Sequence, residues 1–187
     1  METPVQKVCL EHLYDLIGFD HSQCEQEHYI PSYRMTLQDV ADGRPAGQAA
    51  DLTGWLALLQ SHNQTIQVAV GLEADGQGMQ VGCVSVADAA DRKHPGGRPA
   101  VCMERLRQAQ GLPEMDFCEL NFLEIPGLLF QGFWLKSNDS SRPCCISPVF
   151  FLQDCVETRV YTMPEFMAAM QGYARERLSQ PDNSPRG

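Results

Sequence analysis

The chain has 187 residues, 43% of them hydrophobic and 20% charged, so it is long enough to build a core of its own. Its formal net charge is −10 and it contains only three lysines, which disfavours binding to nucleic acid or to an anionic membrane. A basic protein partner fits this charge, and an acidic surface that only maintains solubility explains it equally well.

The chain has neither a long apolar window nor a secretory signal. No stretch of about 18 apolar residues occurs, and the N-terminal residues lack the basic and apolar regions of a signal peptide. We therefore expect a cytoplasmic protein whose eight cysteines are thiols. Five of them lie among apolar residues, where cysteine behaves as a small hydrophobe: Cys9, Cys83, Cys102, Cys118 and Cys155.

The N-terminal pattern predicts an amphipathic helix. Thr3 and Gln6 form a potential capping box around Pro4, apolar residues then recur at helical spacing, and Gly18 is a natural stop. Residues 19–50 are predicted to form a long, partly ordered connection, with a short helix near residues 36–41.

The middle of the chain changes from helical to alternating periodicity. Asp51 is predicted to cap a helix that continues to Leu59. Residues 66–72 then alternate apolar and small or polar side chains, and residues 79–86 read as a return strand after a turn, which predicts a hairpin. A further helix is predicted over residues 100–109.

The most apolar stretch, residues 116–137, predicts two strands. Pro126 and Gly127 suit the central positions of a type II turn, and a bend within a longer strand is the alternative. Gly132 leaves room for a neighbouring ring, and Pro148 directs the following strand toward a sheet edge or a bulge. Strands 65–73 and 146–152 could serve as exposed edges that pair with a partner.

The last helix begins at a second capping box, formed by Thr162 and Glu165. Its apolar stripe contains three methionines, which predict either core packing or an adaptable binding surface. Residues 179–187 are predicted to be a disordered tail.

This order of elements predicts an α+β protein with a single domain over residues 1–178. Its antiparallel sheet would consist of two hairpin-like units, at about residues 65–86 and 117–152. N-terminal and C-terminal amphipathic helices would pack against that sheet.

One cluster of residue types could bind zinc. Zinc sites use three or four nitrogen and sulfur ligands, and the N-terminal region contains Cys9, His12, His21, Cys24 and His28. The spacing matches no known zinc finger, and Cys9 also fits the apolar stripe of the first helix. Solvated histidines and a core cysteine are the simpler interpretation, so no cofactor is predicted and zinc is the alternative.

Three smaller groups could also be reactive. Cys24 with His28 or His21 could form a nucleophile and its base. The adjacent Cys144 and Cys145 could be redox-active or bind a soft metal, but an adjacent pair closes only a strained ring, so two ordinary thiols are the simpler interpretation. Glu119 and Glu124 flank the apolar strand but fall on opposite faces of it unless the strand is bulged.

Two classes of function follow from these patterns. The first is a non-enzymatic acidic protein-binding module of adaptor, immunity-type or chaperone-like kind, which could also form homo-oligomers. The second is a thiol- or metal-dependent enzyme with its site around residues 9–28. Phosphate-binding, dinucleotide-binding, hydrolase and metalloprotease motifs do not occur in the sequence, which favours the first class.

Overall fold

The computed structural model describes residues 26–60, 64–72, 79–88, 98–108, 118–137, 144–151 and 159–180. Within these residues the protein is α+β, as predicted. The strands are β1 (Gln26–Arg34), β2 (Asp51–Gln60), β3 (Gln64–Leu72), β4 (Met79–Asp88), β5 (Cys118–Ile125), β6 (Phe130–Ser137), β7 (Cys145–Phe151) and β8 (Tyr161–Thr162). The helices are α1 (Leu37–Ala41), α2 (Ala46–Ala49), α3 (Arg98–Gln108) and α4 (Met163–Ser179), with one 3-10 turn at Pro126–Leu128. None of these helices is both long and apolar enough to cross a bilayer.

The chain divides into two compact units. The first contains the described residues up to Ser32 and those from Thr53 to Val101. The second contains Tyr33–Leu52 and the described residues from Cys102 onward. The predicted N-terminal helix and residues 181–187 of the predicted C-terminal tail lie outside the described residues, whereas Ser179 is the last residue of α4.

In the first unit, β3 lies between β2 and β4 and is antiparallel to both. The prediction that residues 65–73 form an exposed edge is therefore wrong. The helix predicted from Asp51 to Leu59 is also wrong, because this stretch is β2, with a continuous buried run at residues 56–59. A short apolar run does not distinguish a strand covered on both faces from a buried helix, and β2 is flanked by β3 and β1.

Regular structure also occurs in part of the predicted connection. β1 was missed because its buried residues, Ile30 and Ser32, alternate with Pro31, which is unusual inside a strand. The short helix predicted near residues 36–41 is confirmed as α1, and a capping box with Thr36 and Asp39 closes its first turn.

In the second unit, β5, β6, β7 and β8 form consecutive antiparallel pairs. Asn121 lies opposite Trp134, which lies opposite Ile146 on the next strand. This face of the strands carries the core cluster that also contains Phe166 and Met170 of α4. We call it the helix face. The opposite face carries Phe122, Phe133 and Ser147, and its first two rings meet edge-to-face at 5.5 Å.

The sequence of α4 explains both its start and its orientation. The predicted capping box is present, with the Glu165 N–H donating to the Thr162 hydroxyl at 3.4 Å and the Thr162 N–H donating to the Glu165 carboxylate at 3.0 Å. Buried residues then recur at helical spacing: Met163, Phe166, Met167, Met170 and Ala174. All three methionines are in the core, so the packing interpretation is confirmed and the adaptable-surface interpretation is wrong for this helix.

Removing the cap of α4 should destabilise the second unit. Thr162→Ala is expected to lower the free energy of unfolding by about 1 kcal/mol, because the Glu165 N–H loses its acceptor and the Glu165 carboxylate loses the Thr162 hydroxyl. The Thr162 N–H, and then its hydroxyl, hold the pKa of Glu165 below its ordinary value. The contribution of this carboxylate is therefore complete above its unfolded-state pKa, near 4.5, and is lost as the pH falls through the lower folded-state pKa.

Urea unfolding of both proteins at pH 7 and pH 3 measures this effect. The difference between wild type and Thr162→Ala should shrink at pH 3. An equal difference at both pH values would contradict the role assigned to the carboxylate.

Candidate functional site

Most of the predicted metal and nucleophile residues lie outside the described residues: Cys9, His12, His21 and Cys24. His28 is described, and its side chain is exposed on β1. The metal and nucleophile hypotheses thus stay predictions. Within the described ranges, no three His, Cys, Asp or Glu side chains are grouped to hold a metal ion.

Cys144 and Cys145 do not form a joint site. They are consecutive at the start of β7, so their side chains point to opposite faces. Cys144 packs against the core cluster of the helix face, and Cys145 is buried opposite Leu135 on the other face. The hypothesis of a redox or soft-metal pair in a loop is therefore wrong, because from Cys145 onward this stretch is a strand.

Glu119 and Glu124 lie on opposite faces of β5, as predicted. The β5–β6 register runs without a bulge from the Cys118–Ser137 pair to the Ile125–Phe130 pair. Glu119 is exposed and lies 3.9 Å from Lys136 Nζ. Glu124 is less exposed and accepts hydrogen bonds from Gln131 Nε2 at 2.8 Å and from Arg34 Nη2 at 3.4 Å.

One part of the β7 edge is covered by β8, and the other part is unsuited to strand pairing. Among the described strands only β8 lies beyond it, and β8 pairs with Cys145 and Ile146 alone. The Met163 N–H donates to the Cys144 carbonyl at 2.7 Å. In a strand, the N–H and C=O groups of successive residues point alternately to its two sides. The main chain of Ile146 and Pro148 therefore faces the β8 side.

Pro148 makes this edge a poor template for another strand. Proline has no N–H to donate, and its carbonyl already accepts from the buried Cys102 thiol at 3.1 Å. The register with β6 also shifts at this point, with Gly132 opposite Pro148 and Gln131 opposite Phe150, as the prediction of an edge or bulge allowed. Proline and a bulge are devices that prevent strand pairing at edges, so the expectation that residues 146–152 pair with a partner strand is not supported.

The Phe130 ring covers Gly132 near the start of β6. A β-carbon at Gly132 would lie 2.7 Å from Phe130 Cζ and 3.0 Å from the Ser147 carbonyl oxygen. The Phe130 ring also contacts Phe166 and Phe151, with centroid distances of 4.7 and 5.9 Å. The predicted role of Gly132, which was to leave room for a neighbouring ring, is confirmed.

The turn between β5 and β6 holds a leucine in an unusual conformation. The predicted type II turn is instead the 3-10 turn Pro126–Leu128, followed by Leu129 at φ 49° and ψ 43°. Leu129 is the sole non-glycine residue of the described chain with positive φ, and it is 48% exposed. α1 supports this turn, since Leu37 Cβ would lie only 3.0 Å from a β-carbon at Gly127.

A second exposed hydrophobic residue lies at the same end of the strands. Phe150 is 36% exposed and lies opposite Gln131, one position before the Phe130–Phe151 pair. Leu129 directly precedes Phe130 on the other strand. We call Leu129 and Phe150 together the apolar corner. Phe151 points to the helix face, where its ring contacts Tyr173, so Phe150 points away from that face.

Sequence reasoning missed both residues of the apolar corner. One signal was available. Leu129, the second leucine after Pro126 and Gly127, stands where a turn needs a residue that tolerates positive φ. No model of a known protein family, no curated protein and no solved structure matches this chain significantly.

The strain at Leu129 leads to a stability prediction. A left-handed conformation costs a leucine about 1–2 kcal/mol, and glycine adopts it without that cost. Leu129→Gly is therefore expected to raise the free energy of unfolding by about 0.5–1 kcal/mol after the added entropy of the unfolded chain is subtracted. Urea unfolding measures the change. A loss of stability would mean that the Leu129 side chain contributes packing that outweighs its strain.

Proposed function

We propose that the chain is a non-enzymatic acidic protein-binding module, of adaptor, immunity-type or chaperone-like kind, and that the apolar corner contacts its partner. Leu129 supports this proposal most directly. A solvent-exposed leucine in a left-handed conformation gains little from burial and costs conformational energy. Such a residue is expected where its side chain serves an interaction outside the fold.

The position of Phe150 supports the same surface. Single exposed hydrophobic residues are normal on soluble proteins and need no explanation. Here two large ones lie within one residue of the same cross-strand pair. A few residues near the centre contribute most of the energy at protein interfaces, and large aromatic side chains are enriched in interface cores, so Phe150 with Leu129 near it suits a small contact centre.

The supporting surface is closely packed. The Phe130 ring lies between Phe166 and Phe151, and α1 packs on the turn that precedes Leu129. The Gln171 and Arg175 side chains both donate to the Ala41 carbonyl, at 3.1 and 3.0 Å, and so attach α1 to α4. A closely packed support reduces the ordering cost of binding. We also propose, from the sequence pattern, that the predicted N-terminal helix packs against the strands.

The net charge of −10 selects among possible partners. Nucleic acid and anionic membranes are repelled, and a second copy of the chain carries the same charge. A basic protein is attracted, and its encounter rate is raised by the long-range field.

Co-purification with site-directed controls tests this proposal. Leu129→Ser and Phe150→Ser each remove one apolar side chain of the corner, and Leu178→Ser removes an equally exposed leucine from α4. A protein that co-purifies with the wild type should be lost or weakened with the first two variants and retained with the third. Titration of the purified partner against each variant then measures the affinity. Equal affinities for all variants would refute a role for the apolar corner.

A further inference from the structure

The amide of Gln131 has a defined orientation beside Phe150. A carboxylate can only accept hydrogen bonds, so the short contact between Gln131 Nε2 and Glu124 Oε1 places the donor end of the amide toward β5. The acceptor Oε1 is therefore turned away from Glu124. It forms no hydrogen bond with any residue in the described part of the chain.

The three side chains Glu124, Gln131 and Phe150 form one row across β5, β6 and β7. Each lies directly opposite the next in the strand register, and directly opposite side chains are close neighbours on one face. Moving outward along the row, a carboxylate is followed by an amide oxygen and then by the exposed Phe150 ring. The row thus ends in an acceptor and a π-face, in a protein with net charge −10.

We propose that this row binds an arginine side chain of a partner protein. The guanidinium would stack on the Phe150 ring and donate an N–H to Gln131 Oε1. Arginine fits better than lysine, because its planar group stacks on rings while its N–H groups donate in the same plane. The chain already contains one such contact, with Arg159 Cζ 4.0 Å from the centre of the Tyr161 ring.

This inference rests on the proposed protein-binding function and specifies the chemistry of the partner. The binding mode does not require strand pairing, so the blunted edge at Pro148 is no obstacle to it.

Short peptides test the arginine site without the partner. The probe is the capped tripeptide valine-arginine-valine, and the matched control replaces arginine by citrulline, which has nearly the same shape and no charge. NMR titration of the full chain should shift the Gln131 side-chain amide and the Phe150 ring with the arginine peptide, and citrulline should bind several-fold more weakly. Phe150→Leu should weaken the arginine peptide by about two- to fivefold, and Leu178→Ser should leave it unchanged.

Three results would overturn the inference: equal binding of the two peptides, an unchanged affinity in Phe150→Leu, or no shift at Gln131 and Phe150 up to about 10 mM peptide. The proposed function fails separately. If the peptides do not bind but a natural partner still depends on Leu129 and Phe150, the arginine site is wrong and the apolar corner stands.

Discussion

Replacing Phe166 by alanine is expected to lower the free energy of unfolding by about 3–5 kcal/mol. Phe166 is completely buried, and its ring contacts Phe130 at 4.7 Å and Tyr161 at 6.5 Å between centroids. Alanine would leave a cavity at the point where α4 meets the strands. The neighbouring side chains are held by their own strands and cannot collapse fully into that space.

Urea unfolding, followed by far-ultraviolet circular dichroism, measures this loss. Leu178→Ala is the matched control, because it removes a large apolar side chain from the same helix at a position that is 46% exposed. Its effect should stay within about 0.5 kcal/mol. If Phe166→Ala cost no more than the control, the packing of α4 on the β5–β7 strands would be wrong.

Gly132→Ala is expected to destabilise the protein by about 1–3 kcal/mol, although it adds only a methyl group. The added carbon would lie 2.7 Å from Phe130 Cζ and 3.0 Å from the Ser147 carbonyl oxygen. The Phe130 ring also contacts Phe166 and Phe151, which limits its movement, and the carbonyl belongs to the backbone of β7. The substitution would therefore disturb the pair that supports the apolar corner, and binding of the partner should weaken with it.

Gly172→Ala is the matched control for this prediction. A β-carbon at Gly172 meets no atom within 4 Å, and the residue lies inside α4. Alanine is favoured over glycine in a helix by about 1 kcal/mol, so this variant should be more stable than wild type. Opposite signs for the two glycines are the expected result of thermal unfolding. A neutral or stabilising Gly132→Ala would contradict the close contact of the Phe130 ring.

Features that depend on neighbouring residues were predictable. The predicted capping box at Thr162 involves residues three positions apart, and the apolar stripe of α4 is visible at helical spacing. The short helix near residues 36–41 was also predicted. The roles of Gly132 and Pro148 were also predicted correctly, because a missing side chain and a missing N–H each constrain a strand in the same way in any sheet.

Features that depend on strand order were not predictable. β2 was taken for a helix because its buried run has no periodicity that separates the two structures. The exposed edge was assigned to β3 because the sequence does not show that β2 and β4 lie on either side of it. The alternative of a joint site at Cys144 and Cys145 arose for the same reason, because their opposite orientation follows from the strand that begins at Cys145.

The sequence by itself determined the α+β class, the starts of two helices and the acidic net charge. Only the tertiary structure brought Leu129 beside the Phe130–Phe151 pair and aligned Glu124, Gln131 and Phe150 in one row. The physical reason is that caps and stripes depend on contacts within one turn of the chain. Exposure at the apolar corner depends on which strands pair, in which register, and on where each strand stops.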